Sequence, residues 1–263
     1  MTTPSTSSSQ PPPQKPVPID VIAEGLTQNS TAIVQQGLDL FANSRGGLNS
    51  FALDRALSLA VKRAKPDIVR YLLDTTDVKV ESWPSARINS AMDMAGKEGV
   101  GRVIEVLEVL VEKGWDVNGR GQGGSDSLPL VYHVYGSEEL LRWCLDHGAR
   151  VDYSDTDPPN VPPLLEYIGK GGTISTFKLL MEDGAKLGRR TLHRAVEGAS
   201  SGESERMEMV RFLVEEMGCD VNGMDMPEDK RYPAHYGTPL NYAAHNGRAV
   251  EVVKYLLEVS LAM

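Results

Sequence analysis

Apolar residues along the chain recur at steps of three and four, in short stretches that come in pairs. The last pair is the clearest. In "EVVKYLLE", residues 251–258, Val252, Val253, Leu256 and Leu257 fall on one face of a helix. The stretch before it, "TPLNYAAH", opens with Thr238, a residue able to cap a helix, and Pro239, which suits the first helical position. The same pairing of a short first helix with an apolar-striped second helix runs backward along the chain. It is found in "RTLHRAVEG" with "EMVRFLVEEMG", "PPLLEYIGKGG" with "STFKLLMEDG", and "LPLVYHVYG" with "ELLRWCLDHG". "SAMDMAGKEG" with "EVLEVLVEKG" and the ungapped "RALSLAVKRAKPDIVRYLLD" complete six predicted helix pairs. Upstream, "STAIVQQGLDLFA" predicts one further helix that covers the N-terminal end.

The ends of the second helices look alike: "EKGWDVN", "DHGARVD", "EDGAKL" and "EMGCDVN". Their glycines, Gly114, Gly148, Gly184 and Gly218, stand 34, 36 and 34 residues apart. A helical period in the mid-thirties leaves two main candidates, ankyrin and tetratricopeptide units. The final pair decides between them.

Residues 237–258, "GTPLNYAAHNGRAVEVVKYLLE", closely resemble the ankyrin repeat. They carry its Thr-Pro-Leu opening, paired alanines, glycine turn and Glu-Val-Val-x-x-Leu-Leu second helix. Each part has a physical role. Ala243 and Ala244 are small enough for a neighbouring helix to approach, and Gly247 supplies the turn between antiparallel helices. The resemblance extends with erosion over about residues 55–257 and rests on recurrence more than on any one copy. It implies an all-α ankyrin-repeat solenoid of about six helix pairs with an N-terminal helical cover, because single repeats cannot bury their apolar faces alone. It also implies a binding module, in which loops and first helices present a concave surface to a protein partner. The fold does not say what is bound.

One motif points elsewhere. "NGRGQGGSD", residues 118–126, spaces Gly119, Gly121 and Gly124 as in a dinucleotide-binding loop. That loop needs a strand before it and a helix directly after. Here a helix ending at Lys113-Gly114 precedes the run, and the next repeat opens only at Leu128. The run is predicted to be an exposed turn between repeats that binds no nucleotide.

Composition narrows the classes. The chain has 263 residues, 41% of them hydrophobic, enough for a substantial core. A net charge of −9 argues against nucleic acid as the main partner. Cys144 and Cys219 lie far apart with no metal-ligand spacing, so they read as small apolar residues in a reducing compartment. No apolar run reaches the length of a membrane span. "MTTPSTSSSQPPPQKPVP" lacks the apolar stretch of a secretory leader. Residues 1–16 are therefore predicted to be a disordered Ser/Thr/Pro-rich tail, residues 17–263 one ankyrin-repeat domain, and the location cytoplasmic or nuclear.

Candidate chemistry is sparse. The histidines His133, His147, His193, His235 and His245 have no Ser, Cys or carboxylate partner at catalytic spacing, so no enzyme, cofactor or metal is expected. His193 occupies the histidine place of the repeat pattern, where the family's ring ties neighbouring loops together, although Arg190-Thr191 replaces the usual Thr-Pro. Trp143 and Cys144 take core positions of a second helix, and Trp115 is expected to pack on a neighbouring repeat. The long loop of residues 222–237 holds Arg231, Tyr232, His235 and Tyr236, residue types favoured at interface hot spots. It reads either as a solvated insertion or as part of a binding surface. Tyr132, Tyr135, Arg194, Tyr242 and His245 (with Asn246) take first-helix positions expected to face the groove. The expected partner is a protein. An enzyme or small-molecule pocket on an eroded solenoid remains the competing class. Finally, "EVVKYLLEVSLAM" replaces the Gly-Ala-Asp exit by Val259-Ser260-Leu261 and is expected to leave an apolar strip able to self-associate weakly.

Overall fold

The computed structural model describes residues 16–44, 46–80, 83, 99–119, 128–152, 163–199, 204–225, 237–245 and 250–262. Twelve α-helices and no strand are found among the described residues. The chain divides into two compact bodies, one up to Val78 and one from Lys79 onward.

The first body holds four helices: α1 (Pro18–Thr27), α2 (Thr31–Ala42), α3 (Ser50–Lys62) and α4 (Pro66–Thr75). Proline at the first turn opens α1 and α4, while Ser30 and Asn49 side chains accept from the backbones of Ile33 and Ala52 to cap α2 and α3. The single N-terminal helix expected from the sequence is in fact a hairpin of α1 and α2. The two cross closely because each carries a glycine at the contact. A Cβ on Gly25 would lie 2.7 Å from the Val34 nitrogen, and one on Gly37 would lie 2.5 Å from Ile22 Cγ1. Ile22, Leu26, Val34 and Leu38 are buried between them. Arg63, at the end of α3, donates from Nη1 to the Ala23 carbonyl at 2.7 Å and fixes that repeat against α1.

The second body continues with α5 (Val100–Glu112), a 3₁₀ turn (Leu130–Tyr132), α6 (Glu138–Asp146), α7 (Leu164–Gly171), α8 (Ile174–Glu182), α9 (Thr191–Ala199), α10 (Ser204–Arg211), α11 (Pro239–His245) and α12 (Val250–Ala262). First helices form one row, in which the 3₁₀ turn packs on α7, α7 on α9, and α9 on α11. Second helices form another, with α5 on α6 and α6 on α8. Phe177 of α8 meets Phe212, just past α10, edge to face at 5.6 Å, and Tyr255 of α12 lies under the Arg211 guanidinium. The core between the rows is built from Leu107, Leu110, Leu140, Leu141, Cys144, Leu180, Leu213 and Leu256, all buried.

The exits behave as their spacing predicts. Gly114, Gly148, Gly184 and Gly218 all have positive φ, between 66° and 98°. At the first three, the glycine N–H and the one after it return to carbonyls of the last turn. Trp115 N donates to Leu110 O, Ala149 N to Cys144 O, and Ala185 N to Leu180 O, each at 2.9 Å. The residue after the glycine then turns inward and is buried.

Two elements depart from the expected pairs. "LPLVYHVYG" forms only the 3₁₀ turn, not an α-helix. Between Leu130 and Gly136 stand Val131, Tyr132, His133, Val134 and Tyr135, all β-branched or aromatic, which crowd an α-helical turn. After α10 the helix widens into a single π turn, Phe212–Glu216, so Cys219 N reaches back to Leu213 O. The predicted first helix of the "SAMDMAGKEG" pair and residues 120–127 of the glycine run lie outside the described residues. What precedes that run is the helix α5, not a strand.

Candidate binding face

The row of first helices carries two polar features, a network at the base of the long loop and a cleft between α7 and α9.

The network starts from Asp225, which is 1% exposed. Its Oδ1 accepts from Gly237 N at 3.0 Å, and its own N–H donates to Gly237 O at 3.2 Å. The two ends of the stretch 226–236 are thereby clasped together. Asp225 Oδ2 accepts from the Tyr242 hydroxyl at 2.7 Å, and Arg190 Nη2 donates to that hydroxyl at 3.2 Å. Burial, reinforced by the hydrogen bond to Asp225, pushes the Tyr242 phenol up to about 12. Beneath it His193 Nε2 lies 2.9 Å from Gly237 O and 3.1 Å from Gly223 O, and its ring meets Tyr242 edge to face. Both partners are carbonyls, so Nε2 carries the proton. Burial holds the pKa of His193 below the usual histidine value, which keeps the ring neutral. His193 thus ties the two ends of one loop, while Thr191 closes a local turn by donating to Gly188 O.

The network extends to Glu166, 3% exposed, whose Oε1 accepts from the Arg190 backbone at 2.8 Å. Gly188 lies close beside it: a Cβ there would meet the Glu166 carboxylate at 2.4 Å and displace that side chain.

The cleft has a volume of about 480 Å³ and is lined by Tyr135, Tyr167, Lys170, Arg194, Glu197 and Arg206, with Glu166, Gly171 and Gly198 at its base. Close helix contact makes it. A Cβ on Gly198 would lie 2.2 Å from the Lys170 carbonyl, so only glycine lets α9 approach α7 there. Gly171 likewise leaves room for the Tyr135 ring, which stands edge to face with Tyr167 at 5.7 Å. Glu197 accepts from Lys170 Nζ at 2.6 Å and Arg194 Nη1 at 2.7 Å. Burial opposes its ionisation, yet those two cations hold its carboxyl below the usual range. Arg206 donates from Nη1 to Gly172 O at 2.7 Å.

Of the residues singled out in the sequence, Tyr135 and Arg194 meet in the cleft, and Tyr242 joins the loop base half-buried. His245 is exposed at the end of α11. Tyr132 does not face a groove. It is fully buried, edge to face with Tyr167, because the 3₁₀ turn rotates it inward. Arg231, Tyr232, His235, Tyr236 and Asn246 lie outside the described residues. Sequence reasoning missed Asp225, Arg190 and Glu166. Trp143 is a core residue, as expected, and its Nε1 also donates to Glu108 across α5 and α6 at 2.7 Å. Trp115 is buried and donates to the Trp83 carbonyl.

Among the described residues no cluster of His, Cys, Asp or Glu could hold a metal ion, and no helix is long and apolar enough to cross a membrane.

Comparison with known families matches residues 236–261 to the ankyrin repeat. The final helix pair is thus an ankyrin repeat, and the helices before it stack as a helical-repeat protein of that kind requires. Such repeats are in general protein–protein interaction modules. No curated protein matches the sequence.

Proposed function

We propose that the chain is a non-enzymatic scaffold or adaptor of the cytoplasm or nucleus, which holds a protein partner on its row of first helices. One observation carries this reading. The second helices pack Phe177, Phe212 and Tyr255 along their own row, whereas the first-helix row turns Tyr135 and Arg194 toward a cleft and leaves His245 exposed. Beside them the loop that holds Arg231, Tyr232, His235 and Tyr236 springs from a clasped base. A clasped base lowers the entropy lost when a loop orders on a partner.

The test is affinity capture on the intact chain, with the captured protein then titrated against variants. Tyr232→Ala and His245→Ala should each weaken binding by about 1–2 kcal/mol. Lys254→Ala, on the exposed side of α12, should leave it unchanged. The reverse pattern would sink the assignment of the face. A competing reading, a small-molecule pocket, draws on the cleft volume, which lies within the ~300–1,000 Å³ common for ligand sites. A metabolite that raises the melting temperature would favour it.

A further inference from the structure

We infer that His193 is an acid-sensitive latch on the last helix pair: when its Nδ1 takes a proton, α11 and α12 come away from α9 while the earlier repeats stay folded. This goes beyond the partner-binding reading and stands without it.

The ring is placed to act as a latch. His193 lies on α9 and is 2% exposed. Its Nε2–H reaches both Gly223 O and Gly237 O, and its ring meets Tyr242 of α11 edge to face at 5.2 Å. One side chain therefore holds the approach to the last pair and the first helix of that pair.

The same ring has no place for a second proton. Nδ1 is buried, and among the described residues it has no hydrogen-bond partner. In the neutral ring it carries only an unused lone pair. In an imidazolium it would become a donor with nothing to receive it, inside a buried positive charge. Arg190, three residues earlier, brings donors alone, and the Thr191 hydroxyl donates to Gly188 O. A charged ring satisfies Nδ1–H by leaving for water. In leaving, it drops both carbonyls and Tyr242.

The surrounding charges do not reverse this. Among the described residues, Asp225 favours the imidazolium and Arg190 opposes it, and burial outweighs both. Asp225 already accepts from Gly237 N and the Tyr242 hydroxyl, with Arg190 Nε 3.9 Å away. From α11 comes the Tyr242 phenol, pushed up to about 12 and so neutral. On α7, Glu166 takes the Arg190 backbone N–H, and on α9 itself Arg194 and Glu197 pair with each other.

What else holds each junction decides how far the opening spreads. The α7–α9 contact is backbone against backbone, at Gly169 and Gly198. By contrast α12 reaches the preceding repeat through side chains: Tyr255 on Glu215, Arg211 over Tyr255, and Ser260 on Asn222. Glu215 is exposed, as is the Ser260–Asn222 bond. Repeat arrays open locally where an interface is weak. Once released, the ring takes its proton near the ordinary value of about 6.5, which the docked ring resists. The opened population therefore grows as pH falls, by up to about tenfold between pH 7.5 and 5.5.

Hydrogen exchange of the full chain at pH 7.5 and 5.5, with intrinsic amide rates divided out, tests this. Amides of α11 and α12 should lose protection by up to about tenfold over that range. At pH 5.5 they should exchange faster than those of α8, through an opening that low urea barely changes. His193→Gln, which cannot take the charge, should flatten the pH dependence, and His133→Gln should leave it in place. Constant protection in α11 and α12, protection equal to that of α8 at pH 5.5, or a pH dependence that survives His193→Gln or vanishes with His133→Gln would overturn the inference. If His193→Gln leaves the last pair unprotected at both pH values, ring NMR of the native chain decides. A proton on Nε2 and a titration midpoint well below 6.5 support the latch, and an ordinary midpoint overturns it.

Discussion

The exits of the inner repeats and the end of the last one occupy the same register with different outcomes. Trp115, Ala149 and Ala185 each follow a glycine with positive φ and turn inward. Leu261 takes the same place after Ser260, but α12 runs straight through it, and Leu261 is 87% exposed. The bridging asparagines differ in parallel. Asn118 donates to Gly148 O and accepts from Arg150 N, both backbone groups of the next exit. Asn222, its equivalent, accepts only from the Ser260 hydroxyl. A glycine exit therefore does two things: it ends the helix, and it presents backbone groups to which the preceding repeat can bind. Where serine replaces glycine, both are lost.

The largest effect expected from this contrast is at the residue after the exit. Trp115→Ala removes a buried indole and its bond to Trp83 O, and should cost about 3–5 kcal/mol. Leu261→Ala should change stability by no more than about 0.5 kcal/mol. Denaturant unfolding of the two variants measures the difference. Similar losses at both sites would show that the last exit is packed after all.

The glycines themselves come next. Nothing lies within 4 Å of a Cβ built on Gly148 or Gly184, so alanine there meets backbone strain and no clash. Gly148→Ala and Gly184→Ala should each cost about 1–2 kcal/mol. Ser260→Ala keeps a helical residue in place and should cost less than either, through the bond to Asn222 alone.

These glycines were readable in advance because a helix-ending glycine needs only its own φ, whatever its neighbours. The apolar stripes of α4 to α8 were readable for a similar reason, since each helix sets its own period. Three features were not. The helix α1 follows directly on a proline-rich leader and contains Gly25, whose purpose appears only when Val34 is packed on it. Tyr132 was assigned to a groove on an α-helical period, but the turn it sits in is 3₁₀. The loop base is longer in range still: Tyr242 meets Asp225 across 17 residues and Arg190 across 52, so no local pattern contains it. Tyr135 and Arg194 were found because first-helix positions could be counted. Lys170 and Arg206 were not, because the cleft they share depends on Gly198 bringing α9 against α7.

The last junction compensates for its weak exit through that loop base, and this makes it sensitive to acid. His193 has its pKa lowered chiefly by burial, and His133 in the 3₁₀ turn is lowered in the same way. The unfolded chain takes up these protons near pH 6.5 while the folded chain resists them. Stability from both rings is present above about 6.5 and is lost as pH falls toward their folded values. The melting temperature should therefore fall between about pH 7.5 and pH 5.5, and less so in His193→Gln. An unchanged slope in that variant would remove His193 from the account.

The smallest effect concerns what the unclosed end does in solution. Val250, Leu257 and Leu261 are 60%, 44% and 87% exposed along α12, while Val252, Tyr255 and Leu256 pack inward. The exposed three leave a discontinuous apolar strip along α12. Covering about 300 Å² of such surface would contribute roughly 7 kcal/mol, which the cost of association, some 4–15 kcal/mol, largely offsets. Weak self-association, visible only at high concentration, is the expected outcome. Sedimentation equilibrium over a range of concentrations measures it. Leu257→Lys with Leu261→Lys should abolish any concentration dependence while leaving helicity intact, since neither side chain is in the core. If the unmodified chain is strictly monomeric at every concentration, and amides of α12 from Val252 to Leu257 exchange as slowly as those of α8, then the serine exit closes the stack as well as glycine does. The contrast drawn here would then be one of geometry alone.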